Sequence, residues 1–203
     1  MKLPCLLQPR ILKLALKSLF SRPYTTKFPF APYEPIPQFR GRPRYNKDEC
    51  IGCGACAEVC PSKCIDVIND VTSNPPKRRL VQHLDQCIWC GQCERYCTTE
   101  KGIKQSLEYD CVEFTPGSFD DSVEKELLLC ECCGEVIAPV DQIRWLVKRL
   151  GPLAFTNPTL MLVSLKELAV VDEGVKIDSD TAQRGQRISI QCPKCRRKTA
   201  LAV

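Results

Sequence analysis

The sequence predicts an α+β chain in three parts, and three observations carry that prediction. Most of the 16 cysteines in these 203 residues fall into tight clusters with C-x-x-C spacing. Two of the clusters repeat 37 residues apart, and a short β-like stretch follows each. A basic, proline-rich arm precedes them, and a tail with its own pair of cysteine knuckles follows. The parts are residues 1–39, 40–119 and 120–203.

In the arm, Ile11 to Phe20 reads as a short helix. Arg10, Lys13 and Lys17 share one face, and Leu12, Ala15, Leu16 and Leu19 form an apolar stripe on another. Residues 1–49 hold ten Lys/Arg against three Asp/Glu, a net of +7, whereas the remainder nets −2. The overall +5 therefore comes from the arm. That asymmetry calls for an anionic docking surface, either lipid headgroups or an acidic partner subunit. Three readings of the helix stay open: it lies in a membrane interface, it packs on a partner protein, or it belongs to a transit peptide. The last draws on the lack of any acidic residue before Glu34. Pro23, Pro29, Pro32, Pro35 and Pro37 make the following segment extended and coreless, expected to wrap over a neighbour. No run approaches the roughly 20 apolar residues of a membrane span, so any membrane contact is expected to be peripheral.

The middle part carries the chemistry. Cys50, Cys53 and Cys56, then Cys60-Pro61, form the first run; Cys87, Cys90 and Cys93, then Cys97-Thr98, form the second. Disulfide scaffolds belong to short secreted chains, and Lys13 and Lys17 interrupt the only candidate signal segment, so free thiols are expected. Both runs have the C-x2-C-x2-C-x3-C spacing of bacterial ferredoxins. A loop with a cysteine every third residue can wrap three iron corners of a cubane, and the fourth thiolate must come from elsewhere. In this pattern the last cysteine of each run serves the other run's cluster. The expectation is a ferredoxin-like 2[4Fe–4S] domain. Cys50, Cys53, Cys56 and Cys97 take one cluster; Cys87, Cys90, Cys93 and Cys60 take the other. Gly52, Gly54 and Gly91 keep side chains away from backbone N–H groups that approach sulfur. Trp89 reads either as a water shield or as ordinary core. Thr98 stands where the first run has Pro61, which restores a hydrogen-bond donor and is expected to shift the potential of the cluster beside it. After the first run, Ile65 to Ile68 and Arg79 to Leu84 read as a hairpin through Asn74-Pro75-Pro76.

The tail repeats the metal theme with other spacing. Cys130 with Cys133, and Cys192 with Cys195, are two C-x2-C knuckles that supply four thiolates, the usual structural Zn2+ arrangement. A zinc-ribbon-like extension is expected, with iron in a rubredoxin-type site as the alternative. Cys132 is expected to point away. Helices are expected over Asp141 to Leu150 and Pro158 to Val170, the second capped by Asn157. Lys194, Arg196, Arg197 and Lys198 make a basic tip without stacking aromatics, so no nucleic acid is expected. Cys5, Cys64 and Cys111 lack partners at metal spacing and read as small buried apolar residues. His83 reads as structural. With no Ser/His/Asp set, paired carboxylates or Gly-rich nucleotide loop, the chain is expected to have no substrate chemistry of its own.

The amphipathic helix, the proline-rich wrap and the stretch FRGRPRYNKDECIGCGACAEVCP from Phe39 to Pro61 together resemble the dicluster subunit of the complex I peripheral arm and its hydrogenase relatives. The knuckle tail is similar to the extension carried by the iron–sulfur subunit of formate hydrogenlyase and related membrane-bound [NiFe] hydrogenases. That resemblance implies a fixed, non-catalytic electron wire on the cytoplasmic face of a bacterial or archaeal membrane. Its implied partners are the small, large and membrane subunits of one hydrogenase complex, with an electron-input iron–sulfur protein or ferredoxin. A quinone-reducing complex of the complex I type is the alternative that it implies.

Overall fold

The computed structural model describes residues 9–115, 117–169 and 189–201. The chain divides into two compact units, Met1–Phe39 and Arg40–Val203. In the first, α1 (Pro9–Phe20) begins on a proline, whose missing N–H costs nothing in a first helical turn. None of its residues is buried, and Leu19 and Phe20 are 76% and 84% exposed. Its apolar stripe therefore has no cover within its own unit. No helix among the described residues is long and apolar enough to cross a membrane.

The second unit is built on two antiparallel ladders. β1 (Pro43–Tyr45) pairs with β4 (Ile103–Gln105), and β2 (Ile65–Asp70) pairs with β3 (Lys77–Gln82). The hairpin expected after the first run is present. Each of its strands is longer at the turn end, because Asp70 Oδ1 accepts hydrogen bonds from the Thr72 and Ser73 N–H groups at 3.0 and 3.2 Å. The sequence repeat is also a repeat of register. Tyr45 faces Ile103 as Gln82 faces Ile65, and Pro43 faces Gln105 as Leu80 faces Val67. Tyr45 and Gln82 lie 37 residues apart, as do Pro43 and Leu80, the same offset as the cysteine runs. Leu80 and Ile103, each 1% exposed, pack with Tyr45, Ile65 and Val123 at the centre.

The tail continues this sheet. β5 (Asp121–Leu129) pairs with β3 from Gln82↔Asp121 to Lys77↔Glu126, and β6 (Val136–Pro139) follows on its other side. The four-stranded order is thus β2-β3-β5-β6. His83 stands at the junction: its Nδ1 lies 2.8 Å from Asp120 and its Nε2 3.1 Å from Asp66. Beyond β6 come α4 (Val140–Leu150), a 3₁₀ turn at Gly151–Thr156 and α5 (Pro158–Glu167). The last element is α6 (Pro193–Leu201). The Asn157 carboxamide oxygen accepts from the Thr159 N–H at 2.9 Å, the cap that the sequence predicts. α5 ends at Glu167, short of the expected Val170, which lies outside the described residues. Ile143, Ala154, Leu160, Val163 and Ile190 form a second apolar core under these helices.

Candidate metal centres

Two cavities gather the ferredoxin-run cysteines. The first is lined by Cys50, Cys53, Cys56 and Cys97, and the second by Cys60, Cys87, Cys90 and Cys93. Each cavity thus takes three thiols from one run and the last thiol of the other. Local geometry explains the exchange. A single helical turn, α2 (Ala55–Glu58) or α3 (Gln92–Arg95), carries the chain away from its own loop, so the fourth cysteine arrives beside the other run. The walls are largely apolar. Tyr45, Ile51, Leu80 and Ile103 line the first cavity; Pro43, Ile65, Ile88 and Trp89 line the second.

The two loops are covered differently. At Gly52 a Cβ would meet the Lys125 side chain at 3.0 Å and Pro139 at 3.3 Å, so β5 and β6 leave no room for a side chain. Lys125 is held over the loop by the Asp141 carboxylate at 2.7 Å and the Lys47 carbonyl at 2.8 Å. The matching position in the second run is Trp89, which adopts the same left-handed backbone (φ 56 against 67) although it has a Cβ. Trp89 is half-buried and lines the second cavity.

The thiols sit among hydrogen-bond donors. Backbone N–H groups reach Cys50 from Gly52, Cys56 from Ala57, Cys93 from Glu94 and Cys97 from Gly102 and Ile103. Tyr45, whose hydroxyl is held protonated by burial, lies 3.6 Å from Cys56 Sγ. Ser62 and Thr99 hydroxyls lie 3.5 Å from Cys60 and Cys97. Burial dominates at Cys56 and Cys93 and pushes these thiols up to about 11 and about 12. Four run cysteines at each cavity, apolar walls and N–H donors directed at sulfur make a donor set that fits a [4Fe–4S] cluster.

Thr98 lines the first cavity, and its Oγ1 lies 3.3 Å from Cys53 Sγ. The Thr98 hydroxyl is thus within hydrogen-bond reach of a sulfur, and toward a thiolate it can only donate. A donor to a ligand sulfur stabilises the reduced, more negative state. Thr98→Val is expected to lower one midpoint potential by about 40 mV, the one-electron equivalent of a hydrogen bond worth about 1 kcal/mol. A redox titration followed by EPR measures this, and two unchanged midpoints would rule the hydroxyl out as a tuning group.

Some residues around these cavities gave no signal in the sequence. Cys64 is buried in the central core, as expected, yet its Sγ also lies 3.5 Å from Cys60 Sγ and lines the second cavity. Gln82 and Gln105 line the same wall. Only the 37-residue offset applied to the strands, and not just to the cysteines, would have picked out Gln82. Cys111 is half-buried and lines neither cavity, and Cys5 lies outside the described residues.

A third constellation lies in the tail. Cys130, Cys133, Cys192 and Cys195 bring one sulfur each to within 4.8 Å of one another, and Cys132 is exposed and outside the set. Cys130 closes β5 in the β5–β6 turn, and Cys192 precedes α6, so one knuckle is a hairpin turn and the other opens a helix. Cys133 and Cys192 sulfurs are 3.7 Å apart, close to the roughly 3.8 Å edge of a tetrahedron with 2.3 Å Zn–S bonds. The Cys192 N–H donates to Cys130 Sγ at 3.2 Å. Burial raises the Cys130 thiol, but this N–H and those of Cys133 and Cys132 outweigh it and hold the thiol at about 6. The set fits a tetrahedral metal. The basic tip beside it is engaged with protein groups: Lys194 meets Glu135 at 3.0 Å and Arg196 donates to the Ser189 carbonyl at 2.7 Å.

A mixed helix and sheet fold whose two cavities each gather four cysteines of the paired runs is the arrangement that a two-cluster iron–sulfur domain requires. Residues 49–101 match the family model of the 4Fe-4S dicluster domain, and the chain carries that domain, which implies two [4Fe–4S] clusters. The chain is similar to NADH-quinone oxidoreductase subunit I 1 of Geobacter sulfurreducens, 40% identical over 28% of this chain and 46% of that protein. It is also similar to formate hydrogenlyase subunit 6 of Escherichia coli, 39% identical over 24% of this chain and 27% of that one. NADH-quinone oxidoreductase subunit 9 of Thermus thermophilus is 41% identical over 28% of this chain and 34% of its own length. The chain thus spans less than half the length of each of these relatives. Among solved structures, a chain of the membrane-bound sulfane sulfur reductase, an archaeal respiratory membrane complex, aligns with a TM-score of 0.37 and 30% identity. That alignment covers 54% of this chain and 56% of the other.

Proposed function

We propose that this chain is a non-catalytic electron-transfer subunit of a membrane-associated respiratory complex. One observation carries the reading: eight cysteines from two interleaved runs line two cavities, four to each, inside a matched 4Fe-4S dicluster domain. Cys50, Cys53, Cys56 and Cys97 hold one [4Fe–4S] cluster, and Cys87, Cys90, Cys93 and Cys60 hold the other. The clusters supply one-electron chemistry, which no protein side chain arrangement in this fold provides alone. The chain's own residues hold them by thiolate, keep water out with Leu80, Ile103 and Trp89, and direct N–H groups at sulfur. Cys130, Cys133, Cys192 and Cys195 hold a structural metal, zinc in preference to iron.

Within that class we favour an energy-converting [NiFe] hydrogenase complex of the formate hydrogenlyase kind, because the knuckle tail resembles the extension of that group. The partners are then the hydrogenase small and large subunits, the membrane subunits and an electron-input iron–sulfur protein or ferredoxin. The exposed apolar stripe and basic face of α1 supply a docking surface for a partner or for anionic lipid at the cytoplasmic face. A quinone-reducing complex of the complex I type is the second reading, favoured by the 40% identity to an NADH-quinone oxidoreductase subunit. Anaerobic affinity purification from native membranes, with mass spectrometry of co-purifying chains, separates them. A [NiFe] large subunit beside membrane antiporter-like chains supports the first reading, and NADH-oxidising and quinone-site subunits support the second. A chain recovered alone, as a free ferredoxin, defeats both.

A further inference from the structure

The 37-residue repeat lets the two cavities be compared position by position, and they differ in the strand residues that stand beside the thiols. Where the first ladder has Tyr45, the second has Gln82, since the one faces Ile103 and the other Ile65. Where the hairpin has Val67 opposite Leu80, the other ladder has Gln105 opposite Pro43. The loop glycines give the same equivalence. A Cβ on Gly54 would meet Val67 at 3.7 Å, and one on Gly91 would meet the Gln105 amide at 3.2 Å.

The two glutamines stand in the wall of the cavity that holds Cys60, Cys87, Cys90 and Cys93. Gln82 is 0% exposed, and neither its Nε2 nor its Oε1 has a hydrogen-bond partner among the described residues. Gln105 Nε2 is buried and likewise without a partner there. A buried amide left unsatisfied is costly, and an apolar residue on the same backbone would avoid the cost. Two such amides on one cavity wall are explained when their partner arrives with the cofactor. A sulfur-rich cluster offers many acceptors, and hydrogen bonds to its sulfurs are among the protein's levers on potential.

We propose that the Gln82 and Gln105 side-chain amides donate N–H···S hydrogen bonds to the cluster held by Cys60, Cys87, Cys90 and Cys93, and raise its reduction potential. The inference rests on the two-cluster reading above. These donors act on one cluster only. The first cavity has the Tyr45 hydroxyl beside a cysteine sulfur, and Val67, the counterpart of Gln105, is not among the residues that line it. The repeat thus makes two similar sites and then distinguishes them by two strand positions outside the cysteine motif.

The test uses the full-length chain, reconstituted anaerobically with ferrous iron and sulfide and titrated with EPR detection. Gln82→Leu and Gln105→Val are each expected to lower the same one of the two midpoints, by up to tenfold in its reduction equilibrium, or about 59 mV. The other midpoint stays in place. Variants that keep both clusters and both midpoints would overturn the inference, and so would an equal shift of both clusters. If a variant fails to load, pulsed EPR of the reduced wild-type chain with 15N in its glutamine side chains decides. A 15N coupling supports the donors, and its absence overturns them. A wild-type chain that takes up no iron would instead defeat the two-cluster reading itself, so the two failures separate on iron content.

Discussion

Cys97→Ala is expected to remove the cluster at Cys50, Cys53 and Cys56 and to leave the one at Cys87, Cys90 and Cys93. Cys97 lies four residues beyond Cys93 in the chain, yet it lines the cavity of the other run. Its thiol is held among donors from Thr99, Gly102 and Ile103, in a nook where a Cβ on Gly102 would meet Cys97 Sγ at 3.2 Å. No fifth cysteine among the described residues lines that cavity to replace it. Iron and acid-labile sulfide should therefore fall to about half of the wild-type content. A pair of double variants makes the crossing explicit. Cys50→Ala with Cys97→Ala damages one site twice and keeps half of the iron. Cys87→Ala with Cys97→Ala damages both sites and loses nearly all of it. The reverse pattern would show that each run serves its own cluster.

Cys192→Ala is expected to cost the chain its third metal and to unfold the tail around it while the iron content stays constant. Cys192 and Cys130 are both 3% exposed, and each carries a share of the only link between the β5–β6 turn and α6 that runs through sulfur among the described residues. Structural zinc sites of this type are worth about 10–16 kcal/mol at neutral pH, comparable with the whole stability of a small domain, about 5–15 kcal/mol. Ile190, two residues before Cys192, belongs to the tail core with Ile143 and Leu160, so release of α6 also opens that core. The readouts are metal analysis, which separates zinc from iron, and limited proteolysis of the tail. An unchanged metal content would remove Cys192 from the ligand set. Loss of cluster iron in step with the third metal would show that β5, through its pairing with β3, couples the two regions.

Much of this was legible because cysteine spacing is itself geometric. A C-x2-C-x2-C-x3-C run can wrap only a compact polynuclear site, and paired C-x2-C knuckles suit a tetrahedral ion. The hairpin at Ile65 and the Asn157 cap followed from alternation and capping chemistry, both of which are local. Strand and helix ends were less accurate: the hairpin strands extend to Asp70 and Lys77, and α5 stops at Glu167.

By itself, then, the sequence set out two cysteine runs of one spacing, a third cysteine group of another, and a helix ahead of them with a basic and an apolar face. Only the tertiary structure decided what surrounds each site. Gly52 and Trp89 hold equivalent places in the repeat. At one, Lys125 of β5 and Pro139 of β6 lie where a side chain would go; at the other, an indole lines the cavity. Tyr45 and Gln82 are equivalent too, yet one meets a cysteine sulfur and the other is a buried amide with no protein partner among the described residues. Ligand spacing is encoded within a few residues. The environment of a ligand is set by strands that pair over long sequence distances, and their register is visible only when the chain is folded.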